Sequence, residues 1–188
     1  DTSELKMAQK NLGRLEARPG HRNGEGRVTM RELVVNALRM RPDRIVVGEV
    51  RGPEALEMLQ AMNTGHEGSL GTIHANSPSG ALSRLELLLS LADASMPSHV
   101  MRSQIASSVN VIVQLGRFAD GGRRVTSIVE ITGMMGEVVQ RQEIFGFRRT
   151  GLGEDGRVLG HLRPTGLIPK FYSELREEGT VLPYEIFD

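Results

Sequence analysis

The chain has 188 residues with 23 basic and 23 acidic side chains, so no overall basic field marks a nucleic-acid surface and no acidic excess marks a solvating tail. It holds no Cys, which excludes disulfides, thiolate metal sites and a Cys nucleophile. Hydrophobic residues make up 39% against 4% aromatics, so the core is aliphatic, with nine Met beside Leu, Val and Ile. The length suits one domain with one core. No apolar run approaches a membrane span and the N-terminus shows no signal-peptide pattern, so the expected setting is the cytosol. The sequence opens on Asp1, and its three lysines, Lys6, Lys10 and Lys170, never follow Gly. It reads as part of a longer chain without a phosphate-loop signature.

Thr29 and Glu32 have capping-box spacing, and Leu33, Val34, Ala37 and Leu38 recur at helical intervals, which predicts a helix over 29–40 stopped by Pro42. The run Ile45-Val46-Val47-Gly48-Glu49-Val50 predicts a short strand buried on both faces. Pro53, after Gly52, suits the first position of a second helix with Leu56, Leu59 and Met62 as its stripe and Gly65 at its end. Ser69 to Ala75 reads as the next strand, and Ser77-Pro78 opens a Leu-rich helix reaching about Ala92. A further helix runs from Pro97 to about Ser108. Strand, helix, strand with a crossover of about a dozen residues predicts parallel neighbours. From Asn110 the pattern becomes antiparallel: Val111-Ile112-Val113, a turn at Asp120-Gly121-Gly122, then strands over 123–131 and 138–147. Beyond Arg148 the Gly- and Pro-punctuated chain reads as a tail docked through Phe171, Leu175 and Leu182.

Glu49 stands near the carboxyl end of one predicted strand and His74 at the same end of the next, where open α/β sheets bind ligands. Parallel neighbours lie about 4.8 Å apart, so one ligand could meet both side chains, and Gly48 removes a side chain beside them. A carboxylate at this depth is costly without a cation or hydrogen bonds, which makes Mg²⁺ or an attacking water a reasonable partner. Equally, Glu49 could form a structural ion pair with Arg51 or Arg44. A zinc-peptidase reading of His66-Glu67 fails, because the position four residues after His66 is Leu70. His21, His99 and His161 read as loop or strand-end residues satisfied by backbone groups. Between Arg14 and Arg51 nine arginines face five acids. That local excess suits phosphate recognition or arginine fingers, although most such side chains are expected on solvated faces.

Three segments carry a resemblance. Arg39-Met40-Arg41-Pro42-Asp43-Arg44-Ile45-Val46-Val47-Gly48-Glu49-Val50-Arg51 resembles the Walker B segment of the type II/IV secretion ATPase superfamily, and residues Thr64 to Ser77 resemble its His box. Asp1-Thr2-Ser3-Glu4-Leu5 is similar to the end of its Asp box. Within the superfamily the CpaF/TadA-type ATPases of tight-adherence (Flp) pilus assembly are most similar. There the likeness extends to Asp155-Gly156-Arg157-Val158, to Pro164 through Phe171 and to Leu182-Pro183.

The resemblance implies an α/β fold: a partial RecA-like P-loop NTPase core lacking the phosphate-loop strand and helix, with an antiparallel β-hairpin end and a packed C-terminal tail. The corresponding divisions are 1–116, 117–147 and 148–188. It also implies hydrolysis of ATP with Mg²⁺ at the subunit boundaries of a cytoplasmic homohexamer, peripheral at the inner membrane and docked on membrane platform proteins. Neither nucleic-acid binding nor membrane insertion is expected. By the same resemblance Glu49 holds Mg²⁺ through water and polarises the attacking water, while Asp1 and Glu4 lie near the metal and the water. His66 and His74 match the His box, with His74 placed to sense the γ-phosphate, and Gly48, Arg51 and Arg18 face nucleotide. Without the phosphate loop the 188 residues alone are expected to be inactive. Two other readings stand beside this one, a non-catalytic ring-interface module and a RecA-like nucleic-acid motor.

Overall fold

The structure is a computed structural model and describes residues 5–22 and 25–188. The chain divides into two compact units where composition predicts a single core: one runs through residue 75 and takes in 81–108, the other comprises 76–80 and 109–188. A parallel βαβ segment and an antiparallel meander each close their hydrogen bonds locally, so each forms its own centre of contacts.

In the first unit, helix α1 (Met30–Arg39) begins as predicted, with Thr29 and Glu32 forming a reciprocal capping box. Val34 is its one fully buried residue. Arg41 adopts φ 53° ahead of Pro42, and the helix ends there. Strand β1 (Val46–Val47) pairs in parallel with β2 (Leu70–Gly71), with Val46 opposite Leu70. Backbone bonds from Leu70 to Ile45, Thr72 to Val47 and Val50 to Thr72 extend this ladder along the predicted 45–50 run. Ile45, Val47 and Val50 are buried and Val46 is half-buried, whereas Leu70 on β2 is exposed. Among the described residues β1 and β2 have only each other as partners, which leaves outer edges open.

Helix α2 (Glu54–Asn63) joins the two strands, with Pro53 as its N-cap. Its buried face is Ala55, Met58, Leu59 and Ala61, one position round from the predicted stripe, and Leu56 and Met62 are half-buried. Met58 of this face lies over Gly71, where a Cβ would come within 2.5 Å of its Sδ. Gly65, at φ 81°, terminates α2 in the left-handed conformation. Helices α3 (Pro78–Ala92) and α4 (Ser98–Ser108) match their predicted spans. Leu59, Leu89 and Ile105 are fully buried, each contributing roughly 2 kcal/mol of apolar burial.

The second unit is an antiparallel sheet in the order β3 (Val111–Arg117), β4 (Arg123–Met135), β5 (Val138–Leu152) and β6 (Val158–Pro164). The region read as a tail therefore supplies the end of β5 and all of β6. Its glycines, here at strand ends and bulges, disguised the alternation. Helix α5 (Phe171–Glu177) and a final 3₁₀ turn (Tyr184–Phe187) follow. Pro169 and Phe187 are the buried anchors of this segment, Phe187 packed against Phe145 and Tyr172, while Phe171, Leu175 and Leu182 are half-buried. Among the described residues no helix is long and apolar enough to cross a membrane.

Candidate active site

The parallel pairing of β1 and β2 brings Glu49 and His74 together. Glu49 leaves the carboxyl end of β1 and His74 the same end of β2, and His74 Nε2 lies 3.0 Å from Glu49 Oε1. The other carboxylate oxygen accepts from Arg51 Nη2. Both sequence expectations for Glu49 are thus realised at once: the ligand-site partner His74 and the ion-pair partner Arg51 share one carboxylate. The alternative partner Arg44 lies elsewhere, over Gly68, whose Cβ would come within 2.7 Å of its Nε.

Exposure separates the members of this trio. The Glu49 side chain is 16% exposed, whereas Arg51 is 60% and His74 79% exposed. The carboxylate is sheltered while both partners reach into solvent. The hydrogen bond from Arg51 is the main influence holding the Glu49 carboxyl below the usual glutamate range. Desolvation opposes it, and the charges of Arg51, His74 and Arg84 assist. At neutral pH Glu49 is a carboxylate.

Gly48 immediately precedes this trio. A Cβ at this position would meet no atom within 4 Å, so the fold does not demand glycine here and the space beside Glu49 is open. The Gly48 carbonyl accepts from the Thr72 hydroxyl, which ties the two strand ends together. A cleft lined by Ala17, Met30, Glu49, Arg51, Gly52 and Glu54 lies alongside. It shares Ala17, Met30 and Glu54 with a larger cleft of about 570 Å³ that includes Arg18, Arg27 and Arg31. Arg18 pairs with Val28 through both backbone groups, and its Nε donates to the Gly26 carbonyl at 2.7 Å. It therefore stands one cleft away from Glu49.

His66 is not brought to this carboxylate. It occupies the turn after α2, where its carbonyl accepts from the Ser69 amide and hydroxyl, and its Nδ1 is buried without a hydrogen-bond partner. Asp1 and Glu4 lie outside the described residues. Among the described residues no cluster of three or more His, Asp or Glu could hold a metal ion unaided. Sequence reasoning missed Glu54 and Thr72. The acidic residue in the first turn after Pro53 was a signal for Glu54, whereas Thr72 is identified only by the register of the strands.

The profile of the type II/IV secretion system protein family matches residues 1–150. The chain belongs to that family. A Mycobacterium tuberculosis protein named for conjugal transfer is 44% identical to this family member over 138 residues, 73% of this chain and 39% of that protein. The type IV secretion system protein VirB11 of Bartonella quintana is 34% identical over 131 residues, 68% of this chain and 36% of VirB11. The chain spans about two fifths of the length of the curated relatives it matches. The crystal structure of the VirB11 ATPase from the Brucella suis type IV secretion system, in complex with sulphate, is similar with a TM-score of 0.51 and 31% identity. That likeness covers 54% of this chain and 31% of the VirB11 chain. The mixed α/β fold and the secretion-system family expected from the sequence are both met.

Proposed function

We propose that this chain is the Walker B and His-box part of a secretion ATPase, in which Glu49 acts on the attacking water and His74 answers to the γ-phosphate. The observation that carries the reading is the approach of Glu49 and His74 at the carboxyl ends of two parallel strands. Family membership supports it. The finer assignment, to the CpaF/TadA branch of pilus-assembly motors with a RecA-like core and a homohexameric ring at the inner membrane, is supported by the residues of the 155–183 region. The divisions 1–116, 117–147 and 148–188 belong to the same proposal.

The donor set suits Mg²⁺ in one respect: this ion usually takes one or two carboxylates and completes its shell with phosphate and water. Glu49 offers one sheltered carboxylate, with Asp1 and Glu4 as the proposed further acids. When bound, Mg²⁺ would neutralise charge on the phosphates. The protein's own contribution is positioning. As paired, the Glu49 carboxylate is a weaker base than a solvated glutamate, so Arg51 or His74 must yield before it can orient water. Both are placed to do so, since their exposed heads can turn toward phosphate oxygens. Arg18, Gly48 and His66 complete the proposed nucleotide contacts.

The test uses the parent protein carrying a phosphate loop. Glu49→Gln keeps the shape and removes the charge, so ATP should bind nearly as before while turnover falls by roughly two to four orders of magnitude. A rate within about threefold of the unaltered protein, a change too small for loss of a base, would return Glu49 to a purely structural role. The 188 residues alone should bind ATP weakly and turn it over negligibly.

A further inference from the structure

Glu54 is a buried carboxylate that the proposed chemistry does not use. It is 6% exposed, opens α2 and lines both clefts. Its Oε1 accepts from the Arg51 amide at 2.7 Å and from the Gly52 amide at 2.8 Å. These two N–H groups follow the end of β1 and precede α2, so neither has a place in the strand ladder or the helix. Gly52 leaves the carboxylate room, because a Cβ there would lie 3.0 Å from Glu54 Oε2.

We propose that Glu54 is a positioning residue for the Glu49 site: its carboxylate builds the turn that aims Arg51 back at Glu49. Glu49 and Arg51 are two residues apart, the spacing that puts side chains on one face of extended chain. The chain bends immediately afterwards, and the amides of Arg51 and Gly52 fix where that bend begins. With both bonded to one oxygen, the Arg51 backbone is held and its guanidinium meets Glu49 Oε2. Glu54 therefore acts on Glu49 through Arg51.

A simpler role would be that of any acid in the first turn of a helix, favourable to the positive end of α2. Two conservative variants separate the roles. Glu54→Asp keeps the charge but shortens the side chain by one methylene, so it loses the reach to the two amides. Glu54→Gln keeps the length and a carbonyl acceptor but loses the charge. In the 188-residue chain, the Arg51 Nε–Hε signal and the exchange of the Arg51 and Gly52 amides report the turn directly by NMR.

For Glu54→Asp the two amides should exchange about tenfold faster, the loss of a charge-assisted hydrogen bond, and the Arg51 signal should move toward that of a solvated arginine. The Leu59 amide inside α2 should keep its protection. Glu54→Gln should keep the Arg51 signal near its original position. The reverse pattern, or equal behaviour of the two variants, would overturn the proposal, as would equal loss of protection at Leu59. If Glu54→Asp did not fold, Glu54→Gln would decide alone: a retained Arg51 signal supports the role and a lost one refutes it.

The kinetic consequence rests on the proposed ATP hydrolysis. In the parent protein Glu54→Asp should lower kcat about tenfold with KM for ATP nearly unchanged, the mark of disturbed positioning. An unchanged kcat in an active parent would refute that consequence. A parent inactive even when unaltered, combined with the expected NMR result, would refute the ATPase reading and leave the positioning role standing.

Discussion

Glu49 in the first unit and Asp120 in the second each accept from an arginine a few residues further along, yet their surroundings are opposite. Asp120 Oδ1 takes the Gly122 amide and Arg124 Nη1, and Oδ2 takes Arg124 Nη2 and the Val158 amide. Arg124 donates in addition to the Val158 carbonyl and stands over the Phe118 ring, 5.0 Å from its centroid. The bond from Arg124, with the Val158 and Gly122 amides, holds the Asp120 carboxyl far below the usual aspartate range. Among the described residues Glu49 has no backbone donor, and its partners are two side chains with exposed heads. An ion pair alone therefore does not separate structural from functional carboxylates. The proposed distinction lies in how exposed the partners are: Asp120 ties the β3–β4 turn to β6, whereas the side chains against Glu49 are 60% and 79% exposed.

The largest expected contrast is an exchange of effects. Asp120→Ala should lower the melting temperature of the chain, because it leaves the Val158 and Gly122 amides and Arg124 without their acceptor. Glu49→Gln should leave melting nearly unchanged while abolishing most turnover in the parent protein. Calorimetry and an ATPase assay on the two variants break the comparison if both act alike. A smaller contrast lies in acid. A carboxylate with a depressed folded pKa stabilises above its unfolded pKa and loses that contribution as pH falls toward the folded value. For Asp120 the loss begins below about pH 4, the ordinary aspartate value. Denaturation followed from neutral pH downward should show a steeper loss of stability in the unaltered chain than in Asp120→Asn, and parallel curves would contradict the assignment. The smallest effect concerns Gly48. Gly48→Ala meets open space, so stability should change by no more than about 0.5 kcal/mol. ATP binding in the parent should weaken, and unchanged affinity would show that no ligand uses that space.

The legible part of the sequence was local. Thr29-x-x-Glu32, Pro53, Gly65 and Ser77-Pro78 punctuate the helices by steric and capping rules that need no tertiary context, and the structure follows them closely. The Glu49–His74 approach was legible because parallel strands present the same end to one side. The buried stripe of α2 was not, since the face that is covered is chosen by tertiary neighbours, such as Gly71 beneath Met58. Strand β6 was hidden because register in an antiparallel sheet is fixed by its partner and its bulges. Glu54 escaped notice for a related reason: its role lies in two backbone amides, which a sequence does not display.

The most direct measurement follows the Nε–Hε signals of Arg51 and Arg124 by NMR in the parent protein as Mg²⁺ and a non-hydrolysable ATP analogue are added. If Glu49 is held by partners that a nucleotide displaces, the Arg51 signal shifts on saturation while the Arg124 signal, fixed by Asp120, stays in place. Nucleotide binding that leaves Arg51 unmoved on Glu49 would contradict the account.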